Sequence, residues 1–313
     1  MIRSRKQILC LDSIQALTQG VPLGAIGVLT WPRIRPNTHT AIGRAGKSQP
    51  VIGQIRFDHA AHRARLSLIL PADALNSMVL PGLLDYLAVQ AGLSGAIHFT
   101  AEVDEGSCMF EALRRAGFSV YAWQRVWKFP APVGENDPDG ASPNNLWRPY
   151  HWRTDLNGVH ALYHSLVPAL VQPMDIAPGR NSRGLVYQPG AELLAYADLV
   201  YGPLGIWVQP FVHPSSEEVM ALMAQMIGGI PYRRHKPAYV CVRSYQSWFE
   251  SSLEELGGEA GPRQALMVKH LAITARQTQA LRIPALQNHR AEQATPVVNV
   301  DLLQHARNLE SNP

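Results

Sequence analysis

Apolar residues recur along the chain at two periods, and the switching between them predicts an α/β protein. Residues 64–70 and 97–103 have the length and apolar character of strands, and 79–91 between them carries apolar residues at helical spacing. A short helix over 107–116, ended by Gly117, leads into a strand over 119–129, where Val120, Ala122 and Val126 alternate with Tyr121, Trp123, Trp127 and Phe129. The alternation predicts one aromatic, packed face on that strand. The order then returns as strand 204–212, helix 215–227, strand 237–243, helix 247–256 closed by Gly257, and strand 263–273.

The return keeps register. Leu113, Gly117 and Gln124 correspond to Leu253, Gly257 and Gln264 at a constant spacing, and Phe110 and Glu111 match Phe249 and Glu250 after a one-residue insertion. A period this long signals two copies of one α/β unit rather than a solenoid. Between them, 130–150 is rich in Pro, Gly, Asn and acids without apolar periodicity, as in a linker. The expected division is a first domain over 1–129, the linker, a second domain over 151–275, and a loosely attached tail over 276–313 with a weak helical pattern near 300–309.

Composition narrows the function classes. With 313 residues, 46% hydrophobic and 17% charged, the chain has ample core for folded domains. Cys10, Cys108 and Cys241 are far apart and form neither a disulfide framework nor a zinc motif, which fits a reducing cytoplasm. The apolar stretch behind Arg3, Arg5 and Lys6 is too short for a signal-peptide core, and 193–212 is broken by Asp198 and by Gly202, Pro203 and Gly205, so no membrane span is expected. Ten Lys and Arg stand against two acids up to Arg65, then eighteen against twenty-two. These arginines are dispersed among apolar residues, so a solvated strand face is expected rather than a nucleic-acid surface.

The run Phe110, Glu111, Leu113, Gly117, Phe118, followed by the strand to Phe129, resembles the helix-to-final-strand signature of the GNAT acyl-CoA N-acyltransferases. Phe249, Glu250, Leu253 and Gly257 repeat it, with Gly258 where that family has an aromatic residue. Residues 160–168 look like the family's first helix, and Val208 to Pro210 like the end of its fourth strand. The resemblance implies two tandem GNAT-like domains, each a mixed, mostly antiparallel sheet flanked by helices. It implies transfer of an acetyl group from acetyl-CoA to the amine of a small molecule or protein. The alternative is a non-catalytic protein of this fold that binds an acyl-CoA-like anion or a protein partner.

By that resemblance the cofactor pyrophosphate lies at the start of the helix after the fourth strand, where unpaired amides and the helix dipole favour an anion. The matching positions are Val208, His213, Ser215 and Ser216, with Glu218 where the family has glycine or alanine. Ser215 and Glu218 have capping-box spacing, which would satisfy that helix start internally. His213, Arg233, Arg234 and Lys236 are candidate positive charges near it. The family's acid tyrosine is replaced by Leu113 and Leu253; Tyr121 and Tyr245 are the nearest phenols. Glu102, Glu192 and Asp198 are the carboxylates placed where a general base would stand.

Other signals are weaker. Residues 43–48 resemble the end of a P-loop, but Ala41 stands where a glycine is needed and Pro50 prevents the helix, so a hairpin turn is expected. Asp58, His59 and His62 can be drawn as metal ligands, but the lone pair His59 and His62 between two strands lacks a third convincing ligand and reads as a hairpin tip. Cys108, in the first turn of the short helix, has no His and acid beside it in sequence.

Overall fold

The computed structural model describes residues 8–21, 37–45, 49–72, 77–131, 146–271 and the backbone of 297–301. The first half runs β1 (Leu9–Cys10), α1 (Ser13–Thr18), β2 (Thr38–Arg44), β3 (Val51–Asp58), β4 (Arg63–Leu70), α2 (Val79–Leu93), β5 (His98–Asp104), α3 (Cys108–Arg115) and β6 (Ser119–Phe129). The second half runs β7 (Trp147–Pro149), α4 (Trp152–Leu166), β8 (Gly184–Tyr187), β9 (Ala195–Tyr201), β10 (Ile206–Val212), α5 (Val219–Gly228), β11 (Ala238–Arg243), a 3-10 turn (Ser244–Phe249), α6 (Glu250–Glu255) and β12 (Glu259–His270). A last strand, β13 (Val297–Asp301), lies parallel to β2.

Local chemistry explains the punctuation. The Ser107 hydroxyl accepts from the Phe110 N–H to start α3, and Gly117 at φ +84° ends it in the left-handed region that glycine occupies without strain. Gly257, at φ +80°, follows α6 in the same way. The segment read as a linker contains β7; its 132–145 portion lies outside the described residues. The weak helical pattern near 300 is a strand as far as Asp301, paired along an edge.

All the strands join one mixed, mostly antiparallel sheet ordered β13-β2-β3-β4-β5-β12-β6-β11-β10-β9-β8-β7, with β1 beside β4. In each half the strand before the long helix lies parallel to the strand after it, β4 with β5 and β10 with β11. The closing strands are exchanged: β6 of the first half lies between β11 and β12, and β12 of the second half lies between β5 and β6. The repeat seen in the sequence meets itself at this seam, where Gln124 and Gln264 are register partners and the Gln124 amide donates to the Gln264 carbonyl oxygen at 2.9 Å.

One face of the sheet is covered by α2 and α3 over the first half and by α5 and α6 over the second. Exchange shows in these cores: Ala265 and Met267 of β12 are buried in the first, Trp127 and Phe129 of β6 in the second. The opposite face carries α4, packed on Tyr196, Phe211, Ala122 and Leu266, and α1, whose Ile14 and Leu17 sit on Trp207 and Cys241. A Cβ on Gly202 would meet the Thr18 carbonyl oxygen at 2.1 Å, so glycine there lets α1 dock on the β9–β10 turn. The single aromatic face expected of β6 is divided. An irregularity opposite Leu266 and Met267 turns Tyr121 toward the α4 side, whereas Trp123, Trp127 and Phe129 stay on the other.

Candidate functional site

A ligand can enter a sheet edge-on where two parallel strands part. Both halves have such a place. β4 and β5 pair only from Arg63–His98 to Arg65–Thr100, and β10 and β11 only from Ile206–Ala238 to Val208–Val240. Beyond those pairs each couple diverges.

Both gaps are spanned by the protein itself. In the first half β4 bulges near Ser67, and residues 9–11 run into the opening: Leu9 and Cys10 pair with Ile69 and Leu68, the Leu11 N–H donates to the Ser67 carbonyl at 2.9 Å, and the Glu102 N–H donates to the Leu11 carbonyl at 3.2 Å. The inserted segment continues into α1, where the Glu102 carboxylate accepts the Ser13 N–H at 2.8 Å. In the second half a single buried side chain does the same. The Gln246 amide oxygen accepts the Val212 N–H at 2.9 Å, and its nitrogen donates to the Pro210 carbonyl at 3.0 Å. An amide arriving in this gap would compete with Gln246 for that N–H and that carbonyl.

The helix start after β10 is also occupied locally. The Ser215–Glu218 capping box does not form: α5 begins at Val219, and Glu218 caps it at φ +50° without a side-chain bond. The Ser216 N–H donates to the His213 carbonyl at 2.9 Å, His213 Nδ1 lies 2.6 Å from the Ser215 hydroxyl, and the Ser215 N–H donates to that same nitrogen at 3.2 Å. The fold thus brings His213, Ser215 and Ser216 into one turn, whereas Val208 is buried in the sheet with Leu199 on one side and Val240 on the other. Arg233 donates instead to the carbonyls of Ile227, Phe129 and Pro130, and Lys236 to that of Gly202.

Charged groups gather on the sheet face shared by α1 and α4. The buried Asp12 carboxylate receives Arg56 at 2.8 Å and Arg65 at 3.4 Å, and Arg65 lies 3.8 Å from Glu102. Burial alone would raise the Asp12 carboxyl; Arg65 and Arg56 hold it below the usual carboxylate range. Gln124 and Gln264 carry the chain of hydrogen bonds across the exchanged strands to Arg243. Arg243 grips Asp175 through Nε at 3.0 Å and Nη2 at 3.3 Å, and the Tyr245 hydroxyl donates to the same carboxylate at 3.0 Å. Arg56 and Arg65 are therefore not simply a solvated strand face. Arg56 and Arg65 pair with the buried Asp12, and through Glu102, Gln124 and Gln264 they join a polar network that ties the halves together.

Beside Asp175 is a cavity of about 220 Å³, bordered by Pro178, Ser182, Asp198, Gln209 and Phe211. Burial pushes the Asp198 carboxyl up to about 6, against the hydrogen bond that the Tyr196 hydroxyl donates at 2.8 Å. Of the three carboxylates read as base candidates, Asp198 alone lines this cavity; Glu102 is held in the network and Glu192 is exposed. Tyr245 is committed to Asp175, and burial pushes the Tyr121 hydroxyl up to about 12. Asp58 ends β3, and His59 and His62 form the turn to β4; among the described residues no group of His, Cys, Asp and Glu is arranged to hold a metal. Gly43 pairs with Val51 in the β2–β3 hairpin, with 46–48 outside the described residues. Cys108 is exposed. No helix among the described residues is long and apolar enough to cross a membrane.

Sequence reasoning missed Asp12, Asp175, Arg243 and Gln246. Their one available signal was polarity at strand-flanking positions; only Gln124 and Gln264 stood out, through the repeat.

No protein-family model and no curated protein matches the sequence. Among solved structures the chain is similar to a GCN5-related N-acetyltransferase from Sphaerobacter thermophilus, at 10% identity and TM-score 0.45, covering 70% of this chain and 76% of that one. It is similar to a GNAT-family acetyltransferase from Colwellia psychrerythraea, at 11% identity and TM-score 0.41, covering 85% and 100%. A conserved protein of unknown function from Staphylococcus epidermidis is similar at 9% identity and TM-score 0.48, covering 74% and 94%.

Proposed function

We propose that this chain is a GNAT-fold protein that acts by binding rather than by transferring an acetyl group from acetyl-CoA. The observation that carries this reading is the internal closure of both strand gaps, by residues 9–11 in one half and Gln246 in the other. Backbone groups that a cofactor amide would need are already satisfied, and displacing their partners would leave buried donors and acceptors unpaired at about 1–3 kcal/mol each. Glu218 adds a negative charge, in a left-handed conformation, where a phosphate would meet the helix dipole. The test is titration with acetyl-CoA, comparing the natural chain with Gln246→Ala, Glu218→Gly, which reopens the second gap and clears the helix start.

A second reading, acetyl transfer to an amine in the second half, is favoured by Asp198. A carboxyl raised to about 6 and facing a cavity is suited to accept an ammonium proton near neutral pH. Burial disfavours its charged form, so its ionisation lowers stability progressively as pH rises from the unfolded carboxylate value, near 4, to about 6. Asp198→Asn is expected to raise the melting temperature at pH 7 and not at pH 4, and on this reading to abolish amine acetylation. Undiminished acetylation by the variant would remove Asp198 as the base.

A further inference from the structure

A second, larger cavity opens at the β3–β4 hairpin and has no part in either reading above. It measures about 450 Å³, and its walls include Arg56, Arg63, Arg65, Asp58, Phe57 and His59. Three arginines and one aspartate thus border the space. Arg56 and Arg65 are balanced from behind by Asp12 and, at Arg65, by Glu102. Arg63 is held less closely: its side chain is 12% exposed, it donates to the Met174 carbonyl, and its one ion pair among the described residues is with the half-exposed Asp58 at 3.5 Å. Burial lowers the Arg63 guanidinium to about 10, with the neighbouring Arg65 adding to the effect.

A largely buried cation whose one ion pair is long and half in water is incompletely compensated, and an arriving anion adds to that compensation. The planar guanidinium fork favours oxyanions that accept two parallel N–H bonds. Phe57 and His59, stacked on each other with centroids 5.7 Å apart and planes at 15°, line the same space. The volume is that of a small-molecule site and exceeds what a bare anion fills.

We propose that this cavity binds a small molecule through a terminal oxyanion, phosphate monoester or carboxylate, with Arg63 as its anchor and Arg56 and Arg65 beside it. Binding there is independent of whether either strand gap accepts acetyl-CoA, so failure of one titration does not entail failure of the other.

The experiment is calorimetry and thermal melting of the full chain with inorganic phosphate, pyrophosphate or citrate, each against sodium chloride at equal ionic strength. Saturable binding and a raised melting temperature are expected, and preference for the phosphates or for citrate identifies the source of the oxyanion. Arg63→Met is expected to melt, without anion, no lower than the natural chain and to lose about tenfold or more in affinity. Should that variant not fold, Arg63→Lys retains the charge while losing the fork, and is expected to bind more weakly. No saturable response to any of the three anions, or unchanged affinity in the folded Arg63 variant, would overturn the site.

Discussion

Produced alone, residues 1–131 and residues 146–313 are each expected to remain unfolded, whereas the two segments produced together assemble into the native structure. Without β12, the first half would leave β5 and β6 separated by an empty strand position; without β6, the second would lose the strand between β11 and β12. Each half would also lose core. Met267 is fully buried against the first half's helices, and Trp127 and Phe129 are buried in the second's. Burying one large apolar side chain contributes about 1.5–3 kcal/mol, so these losses and the opened strand edges approach a typical domain's whole stability of about 5–15 kcal/mol. Circular dichroism and size-exclusion chromatography of each half, separately and mixed, check this. A cooperative melt from either half alone would sink it.

The second large effect is expected at Arg243. Arg243→Met leaves the Asp175 carboxylate buried with Tyr245 and Gln209 as its remaining side-chain partners, and the expected cost is about 3–5 kcal/mol at pH 7. The sign with pH follows from the native pair. Burial alone would raise Asp175, but Arg243 holds its carboxyl low, so its stabilising contribution is present above the unfolded carboxylate value near 4 and is lost on further acidification. In Arg243→Met the same carboxyl titrates upward, and the variant's deficit shrinks between pH 7 and pH 5 as the acid becomes neutral. Denaturant melts at both pH values measure this; a deficit independent of pH would mean that lost packing, not stranded charge, is responsible. Asp175→Leu in the Arg243→Met background is expected to recover much of the loss.

The elements were legible because their periods are clean. Strand β6 and helix α3 have the predicted limits to within a residue, since Ser107 and Gly117 are cap residues whose chemistry acts locally. The repeat was legible through Gln124 and Gln264, yet their meeting at the centre of the sheet was not. Strand exchange depends on which edge β12 enters, and its alternation is satisfied equally by pairing with either half. The start of α5 was misjudged for a related reason: Ser215 and Glu218 have the spacing of a capping box, but the His213 ring engages the Ser215 hydroxyl and the helix begins later. Charge was the least legible. Arg56 and Arg65 lie in alternating strands and read as solvent-facing, and nothing local announces that Asp12, 44 and 53 residues earlier, is folded in beneath them. The same distance hides the closure of the first gap, because Leu11 enters it from the far end of the sequence. Asp198 was legible as a carboxylate on a strand; its cavity, formed with the 175–182 loop, was not.

Closure of the two strand gaps is tested most directly by calorimetric titration of acetyl-CoA into the purified full chain, alongside Gln246→Ala, Glu218→Gly. The expected result is no saturable heat and no thermal shift with the natural chain, and measurable binding by the variant, whose Val212 N–H and Pro210 carbonyl are left for a ligand. Micromolar binding of acetyl-CoA by the natural chain would contradict the account and return the second half, with Asp198, to the standing of an acetyltransferase site.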